Sequence, residues 1–161
     1  VEQATLTDLK TISEILSEAA DWLRQRNMPM WRDNELSPEI LSGDIAAGLF
    51  FIGKSNGVGA GIIKFQLEDK KFWPDTSQEE SAFVHRLAVR RQFAGAGVST
   101  QLLKWAAHRA RNLNRRFLRL DCEASRPRLR AFYEKFGFRH HSDFSSPPYF
   151  VSRYEYEISG P

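Results

Sequence analysis

The chain has one cysteine, Cys122, in 161 residues. A lone thiol excludes an internal disulfide framework, so the fold must hold by packing alone, which a chain of this length can do. A reducing, cytoplasmic setting is the expectation that follows. Metal-binding spacings are also missing. No C-x-x-C or H-E-x-x-H pattern occurs, and the four histidines are scattered except for His140 and His141, so no metal is expected. No apolar run approaches the roughly 18 residues of a membrane span, and the first residues lack a basic-then-apolar export pattern. A membrane partner is therefore not expected. Repeats and low-complexity tracts are absent too. What remains, 42% hydrophobic and 27% charged residues, is the composition of one globular domain over residues 1–161.

Positive charge is plentiful, but in one place. Residues 1–84 hold 8 Lys/Arg against 14 Asp/Glu, residues 85–140 hold 14 against 3, and residues 141–161 hold 1 against 3. The middle segment could face an anion or be a solvated helix surface. Its arginines recur without the interleaved aromatics of a stacking platform, so no nucleic-acid partner is expected. Cys122, within "RFLRLDCEA", reads as a buried bystander thiol, with a nucleophile as the other reading.

Periodicity orders the elements. Leu9, Ile12, Leu16, Ala19 and Leu23 mark an amphipathic helix with Thr7 as its cap. Ser37-Pro38 starts a second, short helix. Asn56-Gly57 joins two strands in a tight hairpin. "DKKFWPDTSQEE" is a polar loop, and "SAFVHRLAV" a strand. A helix around Leu102, Trp105, Ala106 and Leu113, the strand "RFLRLDC", a helix ended by Gly137 and two closing strands follow. The middle is a right-handed strand–helix–strand unit. The fold class is α/β with a mixed sheet.

The loop "VRRQFAGAGVSTQLL" opens the third helix. A Walker-type loop is excluded, because no lysine follows Gly97 until Lys104. A dinucleotide fingerprint gains support from Asp121, 24 residues past Gly97, but Thr100 stands at the third glycine position and only 40 residues follow Asp121. The third reading is a pyrophosphate held by successive backbone N–H groups at a helix start, with Arg90 and Arg91 adding charge.

Here "HRLAVRRQFAGAGVSTQLL" resembles motif A, and "LDCEASRPRLRAFYEKFGF" motif B, of the GNAT superfamily of N-acetyltransferases. The resemblance extends to the order of elements over essentially the whole chain. It implies about seven strands flanked by about four helices, and an acetyl-CoA-dependent transfer to the primary amine of a small molecule or peptide. It implies that Leu87, Ala88 and Val89 pair with the pantetheine arm. It implies that the loop from Arg91 through Ala94, Gly95, Ala96, Gly97, Val98 and Ser99 to Thr100 wraps the pyrophosphate. Ala94 and Ser99 depart from the usual loop pattern, without removing a backbone donor. Arg126 replaces a common Asn, and either meets a CoA phosphate, as Arg128 would, or is solvated.

Such a transfer needs a proton taken from an ammonium of pKa about 10 and a proton given to the leaving thiolate. An N–H donor for the oxyanion, from Val89 or a neighbour, is also needed. By the resemblance Tyr133 is the acid; otherwise it simply packs its helix on the sheet. His85, which strict alternation would put on one face with Leu87 and Val89, is the first candidate base. Glu123 is the second, and water alone the third. Trp31, Trp73 and Tyr149 are candidate acceptor contacts, with Asp33 and Glu35 suited to a cationic amine, while Trp22 is expected in the core. Monomer and homodimer both remain open. The alternative is an inactive acyl-CoA-binding or sensing module.

Overall fold

The computed structural model describes residues 1–31 and 33–158, without the side chains of Asp33 and Asn34. In chain order the elements are β1 (Glu2–Gln3), α1 (Leu9–Arg24), α2 (Pro38–Ala46), β2 (Phe50–Ser55), β3 (Val58–Gln66), β4 (Ser81–Val89), α3 (Val98–Asn112), β5 (Phe117–Glu123), α4 (Pro127–Phe136), β6 (Arg139–Ser146) and β7 (Tyr149–Glu157). The seven strands form one mixed sheet in the order β1-β2-β3-β4-β5-β7-β6. β4 and β5 are parallel, Ser81 to Phe83 lying opposite Phe117 to Arg119. The hairpins β2–β3 and β6–β7 are antiparallel. This is the mixed α/β architecture that the sequence pattern implies. The chain groups into two compact units, Val1–Lys64 with Arg86–Leu103, and Phe65–His85 with the residues from Lys104 onward.

The first unit is built on an apolar cluster. Ile12, Ile15 and Leu16 of α1 and Leu41 and Ile45 of α2 pack with Phe50, Ile52 and Ile62 of the β2–β3 hairpin. Local chemistry sets the boundaries. Ser37 Oγ accepts from the Ile40 amide at 3.3 Å, ahead of Pro38 in the first turn of α2. Asn56 and Gly57 have φ of 52° and 79°, which gives the hairpin its two left-handed turn residues. The expected Thr7 cap is corrected: the Asp8 carboxylate accepts from the Thr5 amide at 2.8 Å, and Thr7 Oγ1 shares a hydrogen bond with Thr5 Oγ1. Gly61 is required by close approach, since a Cβ there would lie 3.0 Å from both the Ala88 carbonyl and Val98 Cγ1.

The second unit is aromatic and ionic. Tyr133, Phe136, Phe138, Tyr154 and Tyr156 pack with ring centroids 5.5 to 6.4 Å apart. Gly137, at φ 124°, ends α4. The basic segment is only partly a solvated surface. Arg119 is buried, donates to Glu155 at 2.8 Å and bonds Ser81 Oγ. Beyond that segment, Arg153 is also buried and pairs with Asp75 at 2.7 Å.

Ile62 is fully buried and Ile40 is exposed. Ile62→Ala should lower unfolding free energy by about 2–5 kcal/mol, and Ile40→Ala by no more than about 0.5 kcal/mol. Urea unfolding monitored by tryptophan fluorescence checks both.

Candidate active site

In the first unit the loop after β4 is anchored from α1. The Arg90 amide donates to the Ala60 carbonyl at 2.8 Å, and its guanidinium reaches Glu14 at 3.2 Å and Glu18 at 3.5 Å. The Arg91 amide donates to Glu18 Oε1 at 2.6 Å. The Arg91 guanidinium lies 4.0 Å from the Trp22 ring centroid, a ring that also carries Arg26 at 3.9 Å. Trp22 is thus a half-buried platform for two cations rather than the core residue expected. Beyond it, Ala94 is extended, and Gly95 and Gly97 take φ of 80° and 81°. Residues with side chains avoid this region, so these two glycines shape the turn. The first helical bond of α3 runs from the Gln101 amide to the Gly97 carbonyl. The amides of Val98, Ser99 and Thr100 therefore precede it, as the free donors of a helix start. Ala94 to Gly97 are exposed, and Val98 to Thr100 half-buried.

The strand before this loop is not regular. Arg86 has φ 53°, a left-handed conformation that breaks regular strand alternation at that residue. The parity argument linking His85 to Leu87 and Val89 is thereby corrected. Leu87 and Val89 are half-buried and Ala88 is buried. Trp31 is half-buried against the first unit's core, with the Arg86 guanidinium 5.6 Å from its ring centroid. Glu35 is half-buried, and the Asp33 side chain lies outside the described residues.

The second unit holds the titratable candidates. His85 Nε2 lies 2.8 Å from Asp69 Oδ2. The Asp69 side chain is 4% exposed, and its Oδ1 accepts from the Lys71 and Phe72 amides at 3.2 and 3.1 Å. Burial pushes the Asp69 carboxyl up, but the His85 bond, the His85 charge and the two amides outweigh it, and the net direction is down. Asp121 joins them: one ligand-capable atom from each of Asp69, His85 and Asp121 lies within 4.8 Å of the others. Sequence reasoning missed Asp69, because no spacing rule ties a turn residue to a strand histidine 16 positions on. The trio is also a histidine–carboxylate grouping that the search for metal spacings did not find.

Tyr133 is buried among Phe132, Phe138 and Tyr154. Burial pushes its phenol well up, with Cys122 and Asp121 adding to the shift. Glu123 Oε2 accepts from Arg126 Nε at 3.3 Å. Arg126 is 8% exposed, so the expectation of a solvated arginine is corrected, and the ion pair competes with any phosphate contact. Arg128 is exposed. Glu123, Ser125, Pro148, Tyr149 and Phe150 line a hollow of about 290 Å³, and the Tyr149 ring packs edge-on against Phe72. Trp73 has no exposed surface. It packs against Phe83 and His141 under the guanidinium of Arg153, so it anchors its loop and cannot contact an acceptor as expected.

Residues 14–138 match the family model described as the acetyltransferase (GNAT) family. Over 141 residues the chain is 32% identical to YesJ of Bacillus subtilis (strain 168), an uncharacterized N-acetyltransferase, covering 84% of this chain and 78% of that protein. The crystal structure of a GNAT-family acetyltransferase from Listeria monocytogenes 4b F2365 superposes with a TM-score of 0.82 at 23% identity, over 98% of this chain and 93% of that one. PaiA N-acetyltransferase from Thermoplasma acidophilum, solved in complex with coenzyme A, gives 0.76 at 18% identity, over 96% and 97%. At these identities the two solved structures share the fold.

Cys122 is buried, and its thiol is pushed up to about 12 by burial first and by Asp121 next. Reaction needs the thiolate. Cys122 should therefore resist a thiol reagent at pH 8 in the native protein and label fully in denaturant. Mass spectrometry reads both states.

Proposed function

The chain belongs to the GNAT acetyltransferase family, and we propose that it transfers an acetyl group from acetyl-CoA to a primary amine of a small molecule or peptide. The observation that carries this reading is the loop from Ala94 to Thr100. Two left-handed glycines lead into a helix whose first amides, from Val98 to Thr100, are free to donate. Such a turn suits a pyrophosphate, which needs several donors and no particular side chain. Coenzyme A carries one, and the PaiA structure with this fold contains coenzyme A. The missing lysine of a Walker loop fits as well, because these phosphates are a handle and are not transferred. Leu87 to Val89 are proposed to pair with the pantetheine arm, as the family resemblance implies.

At the reacting end we assign Tyr133 as general acid and His85 as general base. The acceptor ammonium loses a proton to His85, and the amine nitrogen attacks the thioester carbonyl. The C–N bond forms and the C–S bond breaks. The nitrogen loses its second proton as the amide forms. The leaving thiolate takes the Tyr133 proton, which solvent restores. Two protons thus leave nitrogen, one ends on sulfur and one in solvent. Glu123, already paired with Arg126, is not assigned as the base; it lines a hollow with Tyr149 and Phe150, whose rings would face a cationic amine there. The reading treats residues 1–161 as one catalytic domain, and the single thiol supports a reducing, cytoplasmic setting.

A panel of amines with acetyl-CoA, read by thiol release, tests the function. Turnover on at least one amine is expected. Coenzyme A binding without turnover across the panel would favour the acyl-CoA-binding module. Tyr133→Phe should lower kcat by about 10²–10⁴-fold and leave the Kd for coenzyme A within about twofold; an unchanged kcat removes Tyr133 from the mechanism.

A further inference from the structure

Resting on the reading of His85 as the base, we propose that Asp69 is its positioning residue: Asp69 fixes the ring in the tautomer with hydrogen on Nε2, so that Nδ1 takes the acceptor's proton, and together with Asp121 it stabilises the imidazolium that results.

The hydrogen bonds around Asp69 dictate the tautomer. A carboxylate is costly to bury unless donors surround it. Oδ1 is committed to the amides of Lys71 and Phe72, which can only donate. Oδ2 faces His85 Nε2 at 2.8 Å. The bonding holds Asp69 ionised, so Oδ2 can only accept, and the imidazole must donate from Nε2. Its lone pair is then on Nδ1, the atom left to take a proton.

The turn that carries Asp69 is itself braced. The Asp69 amide donates to Gln78 Oε1 at 2.6 Å, the Gln78 side-chain amide donates to the Trp73 carbonyl at 2.7 Å, and the Trp73 amide donates to the Asp69 carbonyl at 3.2 Å. The Phe72 ring lies 6.4 Å from the imidazole, centroid to centroid. The carboxylate cannot swing away without breaking this set.

The charged groups around the ring come from the Asp69 turn, from β5 and from β7. From the turn comes Asp69, and from β5 comes Asp121, both within 4.8 Å of a ring nitrogen by one oxygen each. From β7, Arg153 stands opposite Asp121 in the ladder, but its guanidinium is engaged by Asp75. Lys71 lies over the Phe72 and Tyr149 rings, 5.2 and 5.5 Å from their centroids. The two carboxylates gain from imidazolium formation as the acceptor is deprotonated.

Asp69→Asn separates this role from a structural one. The Asn Oδ1 can still accept from both backbone amides, so the turn keeps its bonds. Its Nδ2 then donates toward Nε2 and forces the ring proton onto Nδ1, where the lone pair is needed. The expected result is a kcat lowered by about 10²–10⁴-fold with the KM for acetyl-CoA within about twofold. The tautomer is read without activity, by ¹⁵N spectra of the histidine side chains above pH 8, with His85→Ala identifying the signal. Wild type should show hydrogen on Nε2 and Asp69→Asn hydrogen on Nδ1. Wild type with hydrogen on Nδ1 overturns the proposal, even if the Asn variant fails to fold. A His85→Ala loss of kcat beside an unchanged Asp69→Asn tautomer overturns it while sparing the base assignment. An unchanged kcat in His85→Ala overturns the base assignment and the proposal with it. Wild-type activity abolished by a chelator and restored by zinc alone also overturns it, because the trio would then be a ligand set.

Discussion

A charge taken out of water must be met by donors or by an opposite charge, and two of the buried charges of the second unit, Asp69 and Arg153, order the loop that carries Trp73. Asp69 is met by two amides of its own turn and by His85. Arg153 is met by the Phe72 carbonyl at 3.0 Å, by Asp75 and by Ser142 Oγ, and its guanidinium lies 4.8 Å from the Trp73 ring centroid and 4.5 Å from that of Phe144. Between them the two residues hold both ends of the segment from Asp69 to Asp75. This loop has no strand ladder or helix to order it. Side-chain hydrogen bonds, with Trp73 buried in the middle, do that work, and they also fix where the His85 ring can point.

The same requirement explains part of the charge asymmetry. Fourteen Lys/Arg against three Asp/Glu in residues 85–140 suggests an anion-facing surface. Several of these arginines have partners outside the segment, and their acids lie in the acidic flanks. Arg90 uses Glu14 and Glu18, Arg119 uses Glu155, and Arg116 uses Glu157. The exposed pairs contribute little to stability. Arg119 is different, because a buried guanidinium left alone would be strongly destabilising. Segment charge is therefore a poor guide to surface charge where distant parts of the chain pair.

What could be read from the sequence was local. The Ser37-Pro38 helix start, the Asn56-Gly57 turn, the Gly137 stop and the glycine loop each depend on a few adjacent residues, and each was legible. The fold class followed from their order and from the two motif segments. Long-range placement was not legible. Trp73 sits in a polar, proline-containing stretch, and nothing local says that Arg119, whose guanidinium is 5.3 Å from its ring centroid, Arg153 and His141 will close over it. Trp22 has helical spacing suited to the core, yet the loop after β4 returns Arg91 to its ring. The left-handed conformation of Arg86 is a backbone state that an arginine does not favour, so strict alternation could not be carried through it. Asp69 was invisible for the same reason as Trp73: its meaning lies in what a distant strand brings to it.

The tethering of the glycine loop bears on how it would grip an anion. Arg90 and Arg91 look like phosphate-binding side chains in the sequence. In the fold Arg90 is neutralised by Glu14 and Glu18, and Arg91 is stacked on Trp22 while its amide is taken by Glu18. Their role is to hold the entrance of the loop against α1. The Ala96 amide is bonded to the Phe93 carbonyl at 3.2 Å, so the donors left to an anion would be the amides from Val98 to Thr100, beside the Ser99 and Thr100 hydroxyls. Backbone donors do not depend on side-chain identity, except where a left-handed conformation demands glycine, as at Gly95 and Gly97. A grip made this way would tolerate Ser99 in place of a commoner residue, because that position keeps its N–H; the Ala94 amide is bonded to the Arg91 carbonyl at 3.1 Å and is not among the donors.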